Sequence, residues 1–187
     1  SVALALSRLR GSTVRPEERG VEFAEPELDQ APGIAAMVRE FFQGRPELGW
    51  GGPLPSATEQ ASIDRREQES IEGRLREGPA TDFIVCRQGQ LLGAFWFVHN
   101  PQHPVMGSCA GLNIILLPEV QGLGLGRAAY LHMLEAMHGL GVETIYGRTS
   151  NPGVIHIGQS VGRRLRRIVL RRDGPFISPD RIASLLA

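Results

Sequence analysis

Apolar positions along this chain follow two periods that alternate from segment to segment. Helical spacing runs through Ile34, Met37, Val38 and Phe41 or Phe42, with Asp29 and Pro32 as start signals. A second, more charged helix is predicted over 56–77, capped near Ser56 or Thr58, striped by Ile63, Ile71 and Leu75, and stopped by Gly78-Pro79. Alternation then takes over. Phe83 and Val85, and after them Leu92, Phe95 and Phe97, predict strands over 82–87 and 91–99 joined by the turn RQGQ. The segment NPQHPVMGS, 100–108, reads as a loop, and 111–117 as a third strand. A helix over 124–140 should bury Ala128, Leu131, Leu134 and Met137, show a polar stripe of His132, Glu135 and Gly139, and end at Gly141. A strand over 142–148, a helix opened by Asn151-Pro152 and a strand over 165–171 complete the series. With a short strand at 21–24, the order predicts a mixed α/β (α+β) fold.

Two segments fall outside this rhythm. Residues 1–20 contain the polar GSTVRPEERG and are expected to form a tail or loosely docked extension, leaving 21–187 as a single domain. The stretch 43–56 is too rich in Gly and Pro for a regular element, and Trp50 in its middle is either a wall of a substrate pocket or an anchor for the loop.

Composition removes several chemistries. All 20 basic residues are arginine, so enzymes that depend on a lysine, among them Schiff-base and pyridoxal-phosphate enzymes, kinases and complete P-loop NTPases, are excluded. Net charge is zero, but residues 1–93 carry 11 Arg against 15 Asp and Glu, and 94–187 carry 9 against 5. The second half is therefore the positive one, which suits a small anionic ligand. Cys86 and Cys109 have no metal-site or disulfide-framework spacing, and no stretch approaches the ~20 apolar residues of a spanning helix, so a cytoplasmic protein with no metal and no membrane contact is expected.

The chemistry concentrates in 112–127, LNIILLPEVQGLGLGR: a strand, a proline turn, then Gly122, Gly124 and Gly126 opening a helix. Alternating glycines let backbone N–H groups converge on one point, and a helix N-terminus adds its positive dipole end, which together make an anion site. A P-loop fails because Arg127 and Ala128 follow Gly126. Gly124, Gly126 and Ala129 fit GxGxxA, so a dinucleotide-binding oxidoreductase stays open as an alternative, although four residues separate strand from glycine and the chain is short of parallel strands.

The run from Gln121 through Gly126 also satisfies Q/R-x-x-G-x-G/A, and LLPEVQGLGLGRAAY resembles the acetyl-CoA signature of the GNAT superfamily of N-acetyltransferases, as does the order of elements over about 21–174. The resemblance implies a central mixed, mostly antiparallel sheet, splayed at the signature strand and flanked by helices. It implies acetyl-CoA as co-substrate, its pantetheine arm bonded by the backbone of Ile115, Leu116 and Leu117. The pyrophosphate would sit on N–H groups of Gln121, Gly122, Leu123, Gly124, Leu125 and Gly126, with Arg127 at its edge. The N–H of Leu116 is the implied oxyanion donor, and Asn151 is a helix cap with a secondary cofactor role.

The implied reaction is direct attack of a primary amine, of a small molecule or a peptide, on the thioester. Members of the family commonly carry a tyrosine seven residues after the helix-opening asparagine; here that position is Gly158. Tyr146, His99 and His103 are the candidate replacements for the missing proton donor, and no base is assigned. A catalytically degenerate acyl-CoA-binding domain is the alternative this departure raises. The arginines of 163–172 invite a nucleic-acid reading, but without interleaved aromatics no nucleic-acid partner is expected. A homodimer is left open.

Overall fold

The computed structural model describes residues 1–43, 56–77, 79–146 and 152–163. Five helices, α1 (Val2–Leu9), α2 (Ala31–Gln43), α3 (Ala57–Glu77), α4 (Leu125–Gly139) and α5 (Pro152–Ser160), flank a sheet of β1 (Glu22–Ala24), β2 (Asp82–Arg87), β3 (Gln90–His103), β4 (Gly107–Leu116) and β5 (Thr144–Tyr146). The strands lie in sequence order; β1 through β4 are antiparallel and β5 runs parallel to β4. This mixed, mostly antiparallel sheet carries α1, α4, Ile157 of α5 and Val161 just beyond it on one face, and α2 and α3 on the other.

Local chemistry explains most boundaries. Ser56 and Glu59 form a reciprocal capping box at the start of α3: the Ser56 N–H donates to Glu59 (2.9 Å) and the Glu59 N–H to Ser56 Oγ (3.4 Å). The turn between β2 and β3 puts Gln88 at φ 50° and Gly89 at φ 79°, the mirror-image turn that matches strand twist. At the end of α4, Gly141 is left-handed and the Val142 N–H reaches back to the Met137 carbonyl (2.9 Å), a Schellman closure.

Three expectations change. Residues 2–9 are not a loosely docked extension: Val2, Ala5, Leu6 and Leu9 share the core beneath α4, at i, i+3, i+4 and i+7. The expected loop 100–108 is mostly strand, since β3 and β4 continue into it and the register shift between Asn100 and His103 accommodates Pro101. His132 is not on a polar stripe; its ring meets Phe83 edge-on at 4.6 Å, with Phe23 and Phe95 each at 5.8 Å. The strand expected over 165–171 and the expected cap Asn151 lie outside the described residues.

Candidate functional site

Strand β4 delivers the chain to the glycine loop. Past Leu116, Pro118–Val120 make one tight turn that buries Val120, and Gln121 folds back so that its Nε2 donates to the Leu116 carbonyl at 2.7 Å. Gly122 and Gly124 then take φ 76° and 82°, and α4 starts with Gly124 as N-cap and no side-chain cap bond. The first-turn N–H groups of Leu125 and Gly126 have no intrahelical acceptor, as at any helix start. Arg127 turns away from this nest: its Nη2 donates to Ser12 Oγ (3.2 Å), and its buried Nε has no partner among the described residues. Val14 of the same N-terminal segment packs on Gly124, 3.2 Å from where a Cβ would stand.

The hydrogen-bond phase of β4 decides which backbone groups are accessible. The Leu117 N–H donates to the Leu92 carbonyl at 2.9 Å, and Ile115 pairs with Ala94 in the same ladder. Alternation therefore points the N–H and C=O of Ile115 and Leu117 into the ladder with β3, and those of Ile114 and Leu116 to the other edge. Two bonds agree with this phase: the Leu116 carbonyl is reached by Gln121, and the Ser108 carbonyl accepts from Glu143 at the β5 side (3.1 Å). The Ile115 and Leu117 backbone groups expected at the site are thus committed to the sheet, and Ile114 takes their place. Gly93 makes this pairing close, because a Cβ there would stand 2.8 Å from the Ile115 carbonyl oxygen.

Among the described residues β5 pairs only with Cys109, Ala110 and Gly111, so β4 runs on for five residues beyond it. A cleft of about 220 Å³ follows that edge, lined by Phe41, Ile114, Leu116, Gln121, Gly126 and, from α5, Gly153, Val154 and Ile157. The sequence alone did not single out Phe41, Ile114 or Ile157 for it. Their only signal was membership in apolar runs, which core residues share.

The candidate proton donors separate. Tyr146 closes β5 and lies over Gly111, its ring atoms 3.4–3.5 Å from where a Gly111 Cβ would stand. His103 is beside it, ring centroids 6.3 Å apart, and its Nδ1 accepts from the Val105 and Met106 N–H groups (both 3.2 Å). His99 bonds Ser108 Oγ at 3.1 Å on the opposite face, with Ala110. At Gly158, the Arg163 side chain fills the vacant space, its Cδ 3.5 Å from a notional Cβ, and donates from Nη1 to the Tyr130 hydroxyl at 3.3 Å. Burial pushes the Tyr130 hydroxyl pKa up, with Arg163 opposing. Trp50 lies outside the described residues.

A strand edge left unpaired past Gly111 among the described residues, leading to a glycine turn at a helix start, is what a coenzyme-A-dependent acyltransferase requires. The mostly antiparallel sheet rules out the doubly wound dinucleotide fold. The chain belongs to the acetyltransferase (GNAT) family, whose family model matches residues 38–162. It is 28% identical over 176 residues to a mycothiol acetyltransferase of Streptomyces avermitilis, a match spanning 87% of this chain and 54% of that protein. It thus spans about half the length of the curated relatives it matches. Similar solved folds include GCN5-related N-acetyltransferases from Ralstonia eutropha (TM-score 0.60, 13% identity, 83% of this chain and 100% of that one) and Kribbella flavida (0.60, 19%, 81% and 87%).

Proposed function

We propose that this chain transfers the acetyl group of acetyl-CoA to a primary amine of a small molecule, of the mycothiol-related kind that its relatives' name suggests. The open β4 edge ending at the glycine nest is the observation that carries this reading. The Gln121 N–H is committed to the Pro118 carbonyl (3.2 Å), so the N–H groups from Gly122 to Gly126 would hold the pyrophosphate, backed by the α4 dipole. The backbone of Ile114 and Leu116 would hold the pantetheine arm, and the Leu116 N–H would donate to the thioester oxygen as negative charge develops there. Acetyl-CoA supplies the activated acyl group and a thiolate that leaves readily. Tyr146 lies over Gly111, five residues or about 17 Å of strand from Leu116, so no proton-donor role is assigned to it.

Thiol release from acetyl-CoA across a panel of small primary amines tests this. Amine-dependent release supports it; NAD(P) binding with no response to acetyl-CoA refutes it. A second reading, a domain that binds acyl-CoA without turnover, is favoured by Gly158, where the family's tyrosine is replaced by nothing that titrates. Calorimetric CoA binding with no release for any amine would select that reading.

A further inference from the structure

The turn that carries β4 into the glycine loop is closed by its own backbone. The Val120 N–H donates to the Leu117 carbonyl (3.1 Å), the Gln121 N–H to the Pro118 carbonyl (3.2 Å), and the Val120 side chain is fully buried. The Gln121 side chain is spare to that closure, and its carboxamide does something else. Its Nε2 donates to the Leu116 carbonyl at 2.7 Å, the short end of the range for such a bond.

The place of this bond gives it a consequence. Alternation turns the Leu116 carbonyl to the edge of β4 away from β3, which is the edge the cleft follows. Gln121 is exposed and lines that cleft together with Leu116. Its carboxamide therefore stands where the N–H of a neighbouring strand would stand, and gives an edge carbonyl the donor it requires. The N–H and C=O of Leu116 point to the same edge, with the C=O on the side of the glycine loop. An arm that runs from the loop to the Leu116 N–H meets the carbonyl first. An amide N–H of that arm and Gln121 Nε2 compete for one acceptor in one space.

We infer that Gln121 is a latch on the cleft and a specificity-determining residue: its carboxamide releases the Leu116 carbonyl when an amide N–H of the CoA arm takes it, and closes again when the arm leaves. This rests on the acetyl-transfer reading above. The exchange is selective. An arm that brings an N–H to this point replaces one hydrogen bond by another, whereas an arm without one breaks the Gln121 bond and forms none. A diphosphate that carries no arm leaves the latch shut. Being exposed, the side chain can change rotamer within nanoseconds and leave its amide solvated.

Titration calorimetry with CoA and with ADP, which has a diphosphate and no arm, reads the latch without turnover. Gln121→Met keeps the side-chain length and removes the donor. CoA should then bind about 2–12-fold tighter, the net worth of one hydrogen bond, and ADP as in the parent. Gln121→Ala should move CoA the same way. Weaker binding of CoA and ADP alike would assign Gln121 to the upkeep of the glycine loop and overturn the latch; unchanged CoA affinity in both variants also overturns it. Proton–nitrogen NMR follows the bond itself, with the Gln121 side-chain signal assigned by its loss in Gln121→Met. CoA should shift that signal toward a solvent-exposed carboxamide and ADP should not. A signal moved alike by both ligands, or by neither, overturns the inference. If no amine is acetylated, the acetyl-transfer reading fails on its own while the comparison of CoA with ADP still decides the latch. If CoA binds neither parent nor variant, both fail.

Discussion

Replacing Gly124 by alanine isolates how the N-terminal segment and the anion nest depend on each other. Gly124 sits at φ 82°, ψ 0°, the left-handed region that costs an L-residue about 1–2 kcal/mol. The new methyl would also stand 3.2 Å and 3.4 Å from the two Val14 methyl carbons, closer than relaxed packing allows. Gly122 is the internal control, with φ 76° and nothing within 4 Å of its notional Cβ. Gly122→Ala should therefore cost about 1 kcal/mol, from backbone strain alone. Gly124→Ala should cost about 2–3 kcal/mol, the excess coming from Val14.

Urea denaturation of both variants, and of Gly124→Ala combined with Val14→Ala, measures the excess as a coupling of about 1–2 kcal/mol. If the loop yields instead of Val14, its N–H groups shift and CoA binding weakens about tenfold, or ~1.4 kcal/mol. Titration calorimetry with CoA checks this, and Val14→Ala should restore most of the affinity. Equal stability of the two alanine variants would refute the packing argument. Unchanged CoA affinity in Gly124→Ala would show that Val14, and not the loop, gives way.

Further outcomes follow from the core and the second buried network. Leu9→Ala should lose about 3 kcal/mol in urea denaturation, because Leu9 is fully buried in the core; a tail would lose nothing. Arg74→Ala should cost about 3 kcal/mol by leaving the Asp82 carboxylate buried without its cation, and adding Asp82→Asn should recover part of that. Burial holds the His132 imidazole below its ordinary pKa, with Glu135 and Glu25 pulling the other way. The unfolded chain therefore takes the proton first, so stability from this site is present above pH ~6.5 and is lost as pH falls below it. Urea midpoints between pH 7.5 and 5.5 should drop less in His132→Phe than in the parent.

Features that a short stretch of chain dictates were legible in the sequence. The glycine turn could be read because left-handed φ angles at Gly122 and Gly124 ask for glycine, and the α3 start because Ser56 and Glu59 need only each other. The α1 helix was missed: Val2, Ala5, Leu6 and Leu9 keep helical spacing, but eight residues followed by GSTVRPEERG are too few to outweigh a polar context. Pro101 and Pro104 suggested a loop; in the fold, the register shift between Asn100 and His103 absorbs Pro101 and both strands continue. His132 looked polar by type, whereas its surroundings are set by Phe23, Phe83 and Phe95 from three different strands.

The site residues divide along the same line, and β4 shows why. Alternation of apolar side chains has period two whichever edge of the strand faces its neighbour, so nothing in LNIILL separates Ile114 and Leu116 from Ile115 and Leu117. One contact between residues 25 apart in sequence, the Leu117 N–H on the Leu92 carbonyl, makes that choice and with it selects the backbone groups that face the cleft. Gly158 extends the argument from backbone to side chain. A glycine there reads as a missing hydroxyl, yet the vacated space holds the Arg163 stem, whose guanidinium bonds Tyr130. On the other face, Gly111 leaves room for the Tyr146 ring to lie on the strand beside Asn113. Each glycine's consequence is fixed by the residue that fills the space it leaves, and that residue comes from a different element. The surroundings of each candidate donor are therefore a property of tertiary packing, which is why the glycine loop could be read from sequence and those surroundings could not.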